Sequence, residues 1–467
     1  MKNAPGEQNK RAAKIYHFNA LLQTSGWINP AFVEVDEAGI IQRISNDAPE
    51  SKTPVEVVNG FAVPGFQNAH SHAFQFAMAG MAEKHDVNTL DDFWSWREAM
   101  YTCALTLDPQ QMLDVAAMLY AEMLKRGYTH VAEFQYLHHD KNGKPYDNQA
   151  EMSISLVAAA ALAGIKITLI PVYYHNGGFG KQAEPAQRRF CFQDVDQYLE
   201  LLENCSRIVK PLSTARLGFG VHSLRAAETR DIIRIATEGP AEIPFHIHVA
   251  EQLREVNDAL AFLRQRPVEW MLNNLSLNDR FHLVHCTHLT DTEVARLAQT
   301  RANVVLCPGT EANLGDGIFR LTDFALQSDR WSIGTDSHIS LNPLEDLRWL
   351  DYTQRLTSHR RNTFADGASV LLKNTFLSGR RSMGLSCNNF FEIGQPLDAV
   401  VYNGSSPLLN LAGGEHLLSR LIYTSDSSSV SGTIVDGAWI SKDHRHKNEE
   451  ELLNGFRSAL KDISAQL

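Results

Sequence analysis

The middle of this chain alternates between eight short apolar runs and longer stretches with helical periodicity. An alternation of strand and helix predicts a parallel sheet, and eight such units predict a TIM-like (β/α)8 barrel. The helix predicted from about Pro109 to Arg126 illustrates the intervening elements, because Asp108 is a suitable N-cap and Gly127 a suitable stop. The predicted fold class is therefore α/β, with the strands FQNAHSH, HVAEFQY, KITLIPVYYH, LGFGVHSL, IPFHIHVAE, FHLVHCTH, NVVLCPGTEAN and WSIGTDSH.

The two ends of the chain contain strand and turn patterns without the long helices of the middle. FVEVDEAGIIQRI alternates apolar and polar residues around a glycine, and SGTIVDGAWISKD places Asp436–Gly437 between two β-rich runs. Both patterns are typical of hairpins. We therefore predict a small β-sandwich domain from residues 1–64 and 390–445, the barrel from 65–389, and a C-terminal helix within 446–467.

Composition restricts the partners and the compartment. The net charge of −11 argues against a nucleic-acid binder, which needs a basic face. The N-terminal residues contain no apolar run typical of a signal peptide, and no segment approaches the roughly 20 apolar residues of a membrane span. The six cysteines include no C-x-x-C pair, which is typical of reduced thiols. We expect a cytoplasmic protein with neither a nucleic-acid nor a membrane partner.

The first predicted barrel strand ends in His70–Ser71–His72. Residues i and i+2 of a strand project to the same face, so both imidazoles can enter one metal sphere while Ser71 points away. Two imidazoles at this spacing suit zinc. The pattern is weak alone, because a chain with 19 histidines can contain H-x-H by chance.

The fifth strand carries a more specific pattern, HIHVAE. His248 can be a third metal ligand, and Glu251 follows just beyond the strand end, where a carboxylate can act as an acid or base beside water on the metal. Two other interpretations stay open at this point. His246 can pack beneath the site, and Glu251 can simply begin the next helix, where carboxylates are favoured.

The sixth and eighth strands end in HCTH and GTDSH. His285 closes an apolar run and is expected at the barrel mouth, where it can orient the nucleophile or polarise the substrate. Asp336 can bind zinc and accept a proton, or cap a helix. His288 is expected to start a loop, and His338 to support the site or the structure around it.

These patterns gain weight in combination, because catalytic groups of barrel enzymes lie at the carboxyl ends of the strands. Three imidazoles and one carboxylate leave room for water, whereas a purely structural zinc site would more often be closed by cysteines. The predicted metal ligands are His70, His72, His248 and Asp336, and the predicted catalytic residues are Glu251, His285 and Asp336.

The set HSH, HxxE, H and D on strands one, five, six and eight resembles the amidohydrolase superfamily, as does a β domain built from both termini. Members of that superfamily with two metals usually carry a bridging lysine at the end of strand four. Here that strand reads LGFGVHSLR, without a lysine at its end. The resemblance therefore implies one zinc ion per chain.

Further motifs are similar to those of the formimidoylglutamate deiminase family within that superfamily. The resemblance implies hydrolytic deimination of N-formimidoyl-L-glutamate to N-formyl-L-glutamate and ammonia in histidine degradation, by a homodimer. It covers nearly the whole barrel but is looser from about Cys387 onward, where LDAVVYNG stands in place of a common Ala-Asp-Leu run. The motifs are HSHAFQFAMAG, DDFWSWREAMY, VAEFQYLHHD, RRF, GVHSLRA, HIHVAEQ, VHCTH, TEANLGDGIF and DSHISL.

This resemblance also implies a set of substrate-binding residues. The substrate would be a dicarboxylate, and arginine binds carboxylates in bidentate fashion, which supports Arg97 and Arg225 independently. Without the family, each of these arginines can equally be a surface ion pair. The polar segment TEANLGDG contains Glu311 and Asn313, to which we assign no role. The implied contacts are Gln75, Arg97, Tyr136, His222, Arg225 and His285.

The expected mechanism distributes three roles among strand ends. Asp336 accepts a proton from the attacking water, His285 orients or stabilises the nucleophile, and Glu251 passes a proton to the departing nitrogen. Two other functions stay open. A deaminase of an aromatic base shares the metal set but favours stacking and amide contacts over two arginines. A non-catalytic barrel would be expected to have lost ligands, and here all are present.

Overall fold

The structure is a computed structural model and describes residues 13–50, 52–83, 93–411 and 414–464. Its strands, in chain order, are β1 (Lys14–Gln23), β2 (Gly26–Ile28), β3 (Ala31–Val35), β4 (Ile41–Ser45), β5 (Val55–Pro64), β6 (Phe66–Ser71), β7 (Tyr128–Gln135), β8 (Lys166–Tyr173), β9 (Asn176–Gly178), β10 (Lys181–Gln182), β11 (Ala215–Leu217), β12 (Phe219–Ser223), β13 (Phe245–Val249), β14 (Phe281–His285), β15 (Asn303–Leu306), β16 (Trp331–Ile333), β17 (Ala399–Asn403), β18 (Val430–Val435), β19 (Ala438–Lys442) and β20 (Arg445–His446).

The α-helices are α1 (Phe93–Thr106), α2 (Pro109–Lys125), α3 (Glu151–Ala163), α4 (Val195–Val209), α5 (Thr229–Glu238), α6 (Leu253–Leu263), α7 (Pro267–Asn274), α8 (Asp291–Gln299), α9 (Pro308–Leu314), α10 (Leu321–Ala325), α11 (Pro343–Ser358), α12 (Gly367–Ser382), α13 (Leu417–Thr424) and α14 (Glu449–Ser464). Short 3-10 helices cover Ala73–Met78, Pro185–Gln187, Gly414–His416 and Ser427–Ser429. In the part of the chain that the structure describes, no helix is long and apolar enough to cross a membrane.

The barrel strands are hydrogen-bonded in the order β6, β7, β8, β12, β13, β14, β15 and β16, all parallel. A parallel bridge between Ser71 and Asp336 joins the ends of the first and last strands, so that the cylinder is nearly closed. All eight predicted strands are present, and the predicted α/β barrel is confirmed. Since every strand runs the same way, their carboxyl ends meet at one mouth.

Helix α2 shows how local sequence sets an element of the outer ring. The Asp108 carboxylate accepts a hydrogen bond from the Gln111 amide N (2.8 Å), and the Gln111 side chain accepts one from the Asp108 amide N (3.0 Å). This reciprocal capping box satisfies two donors that a helix start otherwise leaves unpaired. Met112, Val115 and Leu119 are fully buried, so the apolar stripe of the helix packs into the core.

The terminal strands β1 to β5 and β17 to β20 form one nine-stranded sheet. In it β5 lies between β1, to which it is parallel, and β17, to which it is antiparallel. Both predicted hairpins occur, as β3–β4 and β18–β19. In the second, Asp436 (φ 48°) and Gly437 (φ 68°) are both left-handed, as a tight two-residue hairpin turn requires.

The predicted domain boundaries include residues 1–12 and 465–467, which lie outside the described residues. Within the described chain, the strands of the terminal sheet come from both predicted segments, and α14 follows them. Helix α14 packs on α2 and places Phe456 against Phe76, with ring centroids 5.4 Å apart. Only Gly65 separates β5 from β6, so the small β domain leads directly into the first barrel strand.

Candidate active site

Four predicted metal-ligand side chains converge at the barrel mouth. The Nε2 atom of His70 lies 3.0 Å from that of His72 and 2.9 Å from that of His248. The Asp336 Oδ1 atom is 3.1 Å from His72 Nε2 and 3.6 Å from His70 Nε2. All four side chains are buried. The structure therefore brings together the three imidazoles and one carboxylate of the sequence-based prediction.

The hydrogen bonds around these imidazoles indicate which ring nitrogen is left to bind a cation. The Nδ1 atom of His72 donates to the Phe134 carbonyl (3.0 Å), and that of His248 donates to the His222 carbonyl (2.9 Å). A neutral ring that donates from Nδ1 has a lone pair on Nε2, so two lone pairs face His70 at about hydrogen-bond distance. A hydrogen on His70 Nε2 could pair well with only one of these lone pairs, and the Asp336 carboxylate also lies 3.1 Å from His72 Nε2, whereas a cation would attract all of these groups. The residues therefore fit a divalent metal ion held by His70, His72, His248 and Asp336.

A buried carboxyl group holds the turn that carries His72. The side chain of Glu133, at the end of β7, accepts hydrogen bonds from the Ser71 hydroxyl (2.6 Å), the Ala73 amide (2.6 Å) and the Tyr120 hydroxyl (3.0 Å). Burial raises the pKa of Glu133 to about 7, although these hydrogen bonds oppose the shift. Our sequence reasoning did not single out Glu133, although a polar residue at the end of an apolar strand is the same pattern that identified the ligands.

Glu251 and His285 lie beside the metal-ligand cluster. The Glu251 carboxylate is 3.6 Å from His285 Nε2 and 3.2 Å from Arg225 Nη2, and Asp336 Oδ2 is 3.8 Å from His285 Nε2. His285 (φ 72°) and Asp336 (φ 48°) have left-handed backbones, a conformation that side-chain-bearing residues rarely adopt. This unusual backbone conformation changes the direction of each side chain where its strand ends, as is common at functional sites.

The environment shifts the pKa values of both predicted acid–base groups upward. Burial raises the pKa of Glu251, and the positive charges on His285 and Arg225 only partly oppose it. Burial alone would lower the pKa of His285, but Glu251, Glu311 and Asp336 outweigh this effect and raise it to about 10. The surroundings therefore favour the protonated form of each group more than water would.

A cavity opens beside this cluster. Five of the six predicted substrate-binding residues line the cavity. The sixth, His285, does not line it but contacts Glu251, which does. The sequence did not indicate its aromatic walls from α1 and the β8 end, because such residues are indistinguishable from core packing. The lining residues are His72, Gln75, Phe93, Trp96, Arg97, Met100, Tyr101, Tyr136, Tyr174, Phe190, His222, Arg225, His248, Glu251, Leu314 and Asp336.

The two arginines of the cavity differ in their partners. Arg225 contacts Glu251 at 3.2 Å and Glu255 at 3.8 Å. Arg97 lies over the Tyr101 ring (5.2 Å to the centroid), and its ion-pair partner within the described chain is the exposed Glu98, at 4.0 Å. The Nε atom of each arginine is buried and has no hydrogen-bond partner among the described residues. Both guanidinium groups can therefore donate to a bound carboxylate.

The other predicted contacts are held by hydrogen bonds. The Gln75 side chain donates to the Tyr136 hydroxyl (2.9 Å), and His222 packs edge-on against the Tyr136 ring, with centroids 5.1 Å apart. Two further histidines of the predicted strand ends, His246 and His338, do not line the cavity. His246 packs beneath the site, with its Nε2 donating to the Ser382 carbonyl (3.1 Å), and the ring of His338 contacts the Thr335 hydroxyl (2.9 Å).

The positions of His288, Glu251 and Asp336 decide between the roles that the sequence left open for them. His288 is half-buried in the loop after β14 and does not line the cavity. Helix α6 begins at Leu253, so Glu251 precedes it and faces the cavity. Helix α11 is capped by Asn342, so Asp336 does not serve as its cap.

The chain is similar in sequence and fold to known proteins over most of its length. The amidohydrolase family matches residues 61–440. The chain is 41% identical over 457 residues to the formimidoylglutamate deiminase of Pseudomonas aeruginosa, an alignment covering 96% of this chain and 99% of that protein. The crystal structure of an amidohydrolase from Brucella melitensis superposes with a TM-score of 0.90 at 36% identity, over 97% of this chain and 100% of that one.

A zinc-containing adenosine deaminase from Xanthomonas campestris superposes with a TM-score of 0.80 over 97% of this chain and 99% of that one. It is 19% identical to this chain, so this likeness shows the fold alone.

The barrel, the terminal sheet and the buried cluster of imidazoles and carboxylates define a metal-dependent hydrolase that acts on a carbon–nitrogen bond, and the chain belongs to the amidohydrolase family. Within that family, the resemblance to formimidoylglutamate deiminase in the sequence motifs is confirmed by the 41% identity to the Pseudomonas enzyme.

Proposed function

We propose that this protein hydrolyses N-formimidoyl-L-glutamate to N-formyl-L-glutamate and ammonia, with one zinc ion per chain, as a step of histidine degradation. The observation that carries the proposal is a single cavity lined by metal-ligand side chains, by Glu251 and by two arginines. The relative from Pseudomonas aeruginosa bears the name of this activity and supports the same substrate.

The charges of the cavity suit this substrate class. N-Formimidoyl-L-glutamate carries two carboxylates, and a buried arginine binds a carboxylate through two charge-assisted hydrogen bonds. Arg97 and Arg225 each have a buried Nε atom without a hydrogen-bond partner among the described residues. A neutral aromatic base offers no carboxylate to the Nε atoms of these two arginines, and a buried donor left without an acceptor is unfavourable.

The residues beside the cavity divide the proposed chemistry among them. The zinc ion, when bound, would polarise the formimino group and lower the pKa of water. Asp336 accepts a proton from the attacking water, and the charged His285 ring favours negative charge developing nearby. Glu251, whose raised pKa favours the protonated form, donates a proton to the departing nitrogen so that it leaves as ammonia.

Ammonia release from a small panel of compounds tests the proposed substrate. The zinc-loaded enzyme is expected to release ammonia from N-formimidoyl-L-glutamate and not from guanine, cytosine or adenosine. The assay couples ammonia to NADH oxidation by glutamate dehydrogenase, with heat-inactivated enzyme as control. Release from one of the bases without release from the formimino compound would assign the protein to the base deaminases instead.

Metal removal tests the zinc assignment. Dialysis against a chelator is expected to abolish ammonia release, and about one equivalent of zinc per chain should restore it, because the donor set is that of a catalytic site with an open position. The measurement is metal content by mass spectrometry alongside activity. The variant His248→Ala should bind less than a tenth of the wild-type metal, since it loses one of the ligands. Full activity in metal-free enzyme would contradict this assignment.

We further propose that the enzyme is a homodimer located in the cytoplasm. The family resemblance supports the dimer, and the spacing of the cysteines supports a reducing compartment. Light scattering of the purified protein is expected to give twice the chain mass of 52.2 kDa, and a mass equal to one chain would contradict the dimer.

A further inference from the structure

The polar segment that follows β15 contains a carboxyl group directed at the active site. Glu311 lies in α9 and is buried, and one of its oxygens, Oε1, accepts two hydrogen bonds. One comes from His285 Nδ1 (3.3 Å) and the other from the Cys307 amide (2.9 Å). The carboxylate therefore links the start of its own helix to the imidazole at the end of β14.

The surroundings hold Glu311 in a fixed position. The neighbouring Thr310 hydroxyl donates to the Thr335 carbonyl (3.1 Å) and contacts the Ser337 hydroxyl (3.0 Å), so α9 is attached to the turn that carries Asp336. Glu311 does not line the cavity, and it approaches His285 at Nδ1, whereas the cavity-lining Glu251 approaches the ring at Nε2. Glu311 is therefore not expected to contact the substrate.

The imidazole of His285 has two edges with different neighbours. Its Nε2 edge lies 3.6 Å from Glu251 and 3.8 Å from Asp336, and its Nδ1 edge faces Glu311. The residue has a left-handed backbone, and its buried ring stacks on that of His248, with centroids 5.5 Å apart. Within the described residues, Glu311 provides the hydrogen bond at Nδ1, and this bond decides which nitrogen points to the reacting groups.

We propose that Glu311 is a positioning residue for the deimination reaction: it holds His285 by Nδ1 so that Nε2 stands between Glu251 and Asp336. The expected loss of activity rests on the proposed function, whereas the orientation of the His285 ring rests on geometry alone. Without the carboxylate, His285 Nδ1 loses the hydrogen bond that fixes which edge of the ring faces Glu251, and the buried Cys307 amide loses its acceptor. Catalysis then slows because the charged edge of the ring no longer faces the reacting groups.

The test compares Glu311→Gln with Glu311→Met in the zinc-loaded enzyme. Glutamine retains an oxygen that can accept both hydrogen bonds, whereas methionine keeps the volume and has no such acceptor. For Glu311→Met, kcat is expected to fall about 10- to 100-fold while KM changes less than about 3-fold. Glu311→Gln should keep at least about 10-fold more of kcat than Glu311→Met.

Glu293→Gln is the matched control, because Glu293 is a buried carboxylate that binds Arg266 (2.7 Å) and the Thr290 amide (2.9 Å) on α8. This variant should keep wild-type kcat. If Glu311→Met does not fold, Glu311→Ala takes its place, with the same expected fall in kcat and the same small change in KM. Equal kcat values for the glutamine and methionine variants, or an unchanged kcat in both, would overturn the proposal.

Crystal structures separate this proposal from the proposed function. In wild type and Glu311→Gln, His285 Nδ1 should lie within hydrogen-bond distance of residue 311, and in Glu311→Met the ring should rotate away. If wild-type enzyme releases no ammonia from N-formimidoyl-L-glutamate, the proposed function fails while the ring orientation still tests Glu311. A ring that stays in place in Glu311→Met would refute the positioning role whatever the activity.

Discussion

Glu251→Gln is expected to retain its zinc and lose roughly 10³-fold of kcat, within the 10²- to 10⁴-fold range of general acid–base catalysis. Among the described residues, the Glu251 carboxyl is the one group that lines the cavity, has a raised pKa, and contacts both His285 and Arg225. Glutamine has the same shape but carries no acidic proton. The measurement is kcat for ammonia release together with the zinc content of the same sample.

The KM of this variant gives a second, independent signature. The Glu251 carboxylate accepts a hydrogen bond from Arg225 and so competes with a substrate carboxylate for that guanidinium. Removing the charge should leave KM unchanged or lower it, so that the loss falls on kcat alone. Glu122→Gln, which breaks only ion pairs to Lys125 and Arg126 on α2, is the control and should keep wild-type kinetics. A kcat within a factor of about three of wild type would refute the proton-donor role.

Arg97→Met and Arg225→Met are expected to separate a dicarboxylate substrate from a neutral one. A hydrogen bond to a charged group contributes about 1.5–3 kcal/mol, so losing the Arg97 guanidinium should raise KM for N-formimidoyl-L-glutamate about 10- to 150-fold. Since the ion-pair partner of Arg97 in the described chain is the exposed Glu98, kcat should change little. Arg225→Met should affect both constants, because Glu251 then loses its cationic neighbour.

The exposed Arg230 on α5 supplies the control for these arginine variants. Its ion-pair partner in the described chain is Asp231, at 3.7 Å, and its side chain is 87% exposed, so Arg230→Met should behave as wild type. Initial rates over a range of substrate concentrations give both constants. If neither cavity variant raised KM, a carboxylate-binding role for these arginines would be wrong, and a neutral substrate would be favoured.

The parts of this molecule that the sequence predicted share one physical basis. Strand periodicity identifies which residues face inward, and a parallel barrel brings all its strand ends to one mouth. His70, His72, His248 and Asp336 could therefore be assigned to one cluster before any distance was known. The same reasoning left His246 ambiguous, because it shares a face with His248. Its depth in the barrel, against Ser382 of α12, is set by the tertiary structure.

The groups to which the sequence assigned no role lie where contacts depend on packing between distant segments. Glu133 and Glu311 act on neighbours across strands and loops, through hydrogen bonds to Ser71 and His285. Tyr101 lines the cavity from α1, yet an aromatic residue on an amphipathic helix is equally typical of a core. No periodicity in the sequence distinguishes such a side chain from its buried neighbours.

The place of β5 in the terminal sheet has a consequence for the order in which the protein can be assembled. This strand leads through Gly65 into the strand that bears His70, and its second edge is covered only by β17, which lies most of the chain further on. During translation the edge of β5 therefore stays open until the ribosome has made nearly the whole polypeptide. An open strand edge is a template for pairing with other chains, so we expect the incomplete chain to be more prone to aggregation than the complete one.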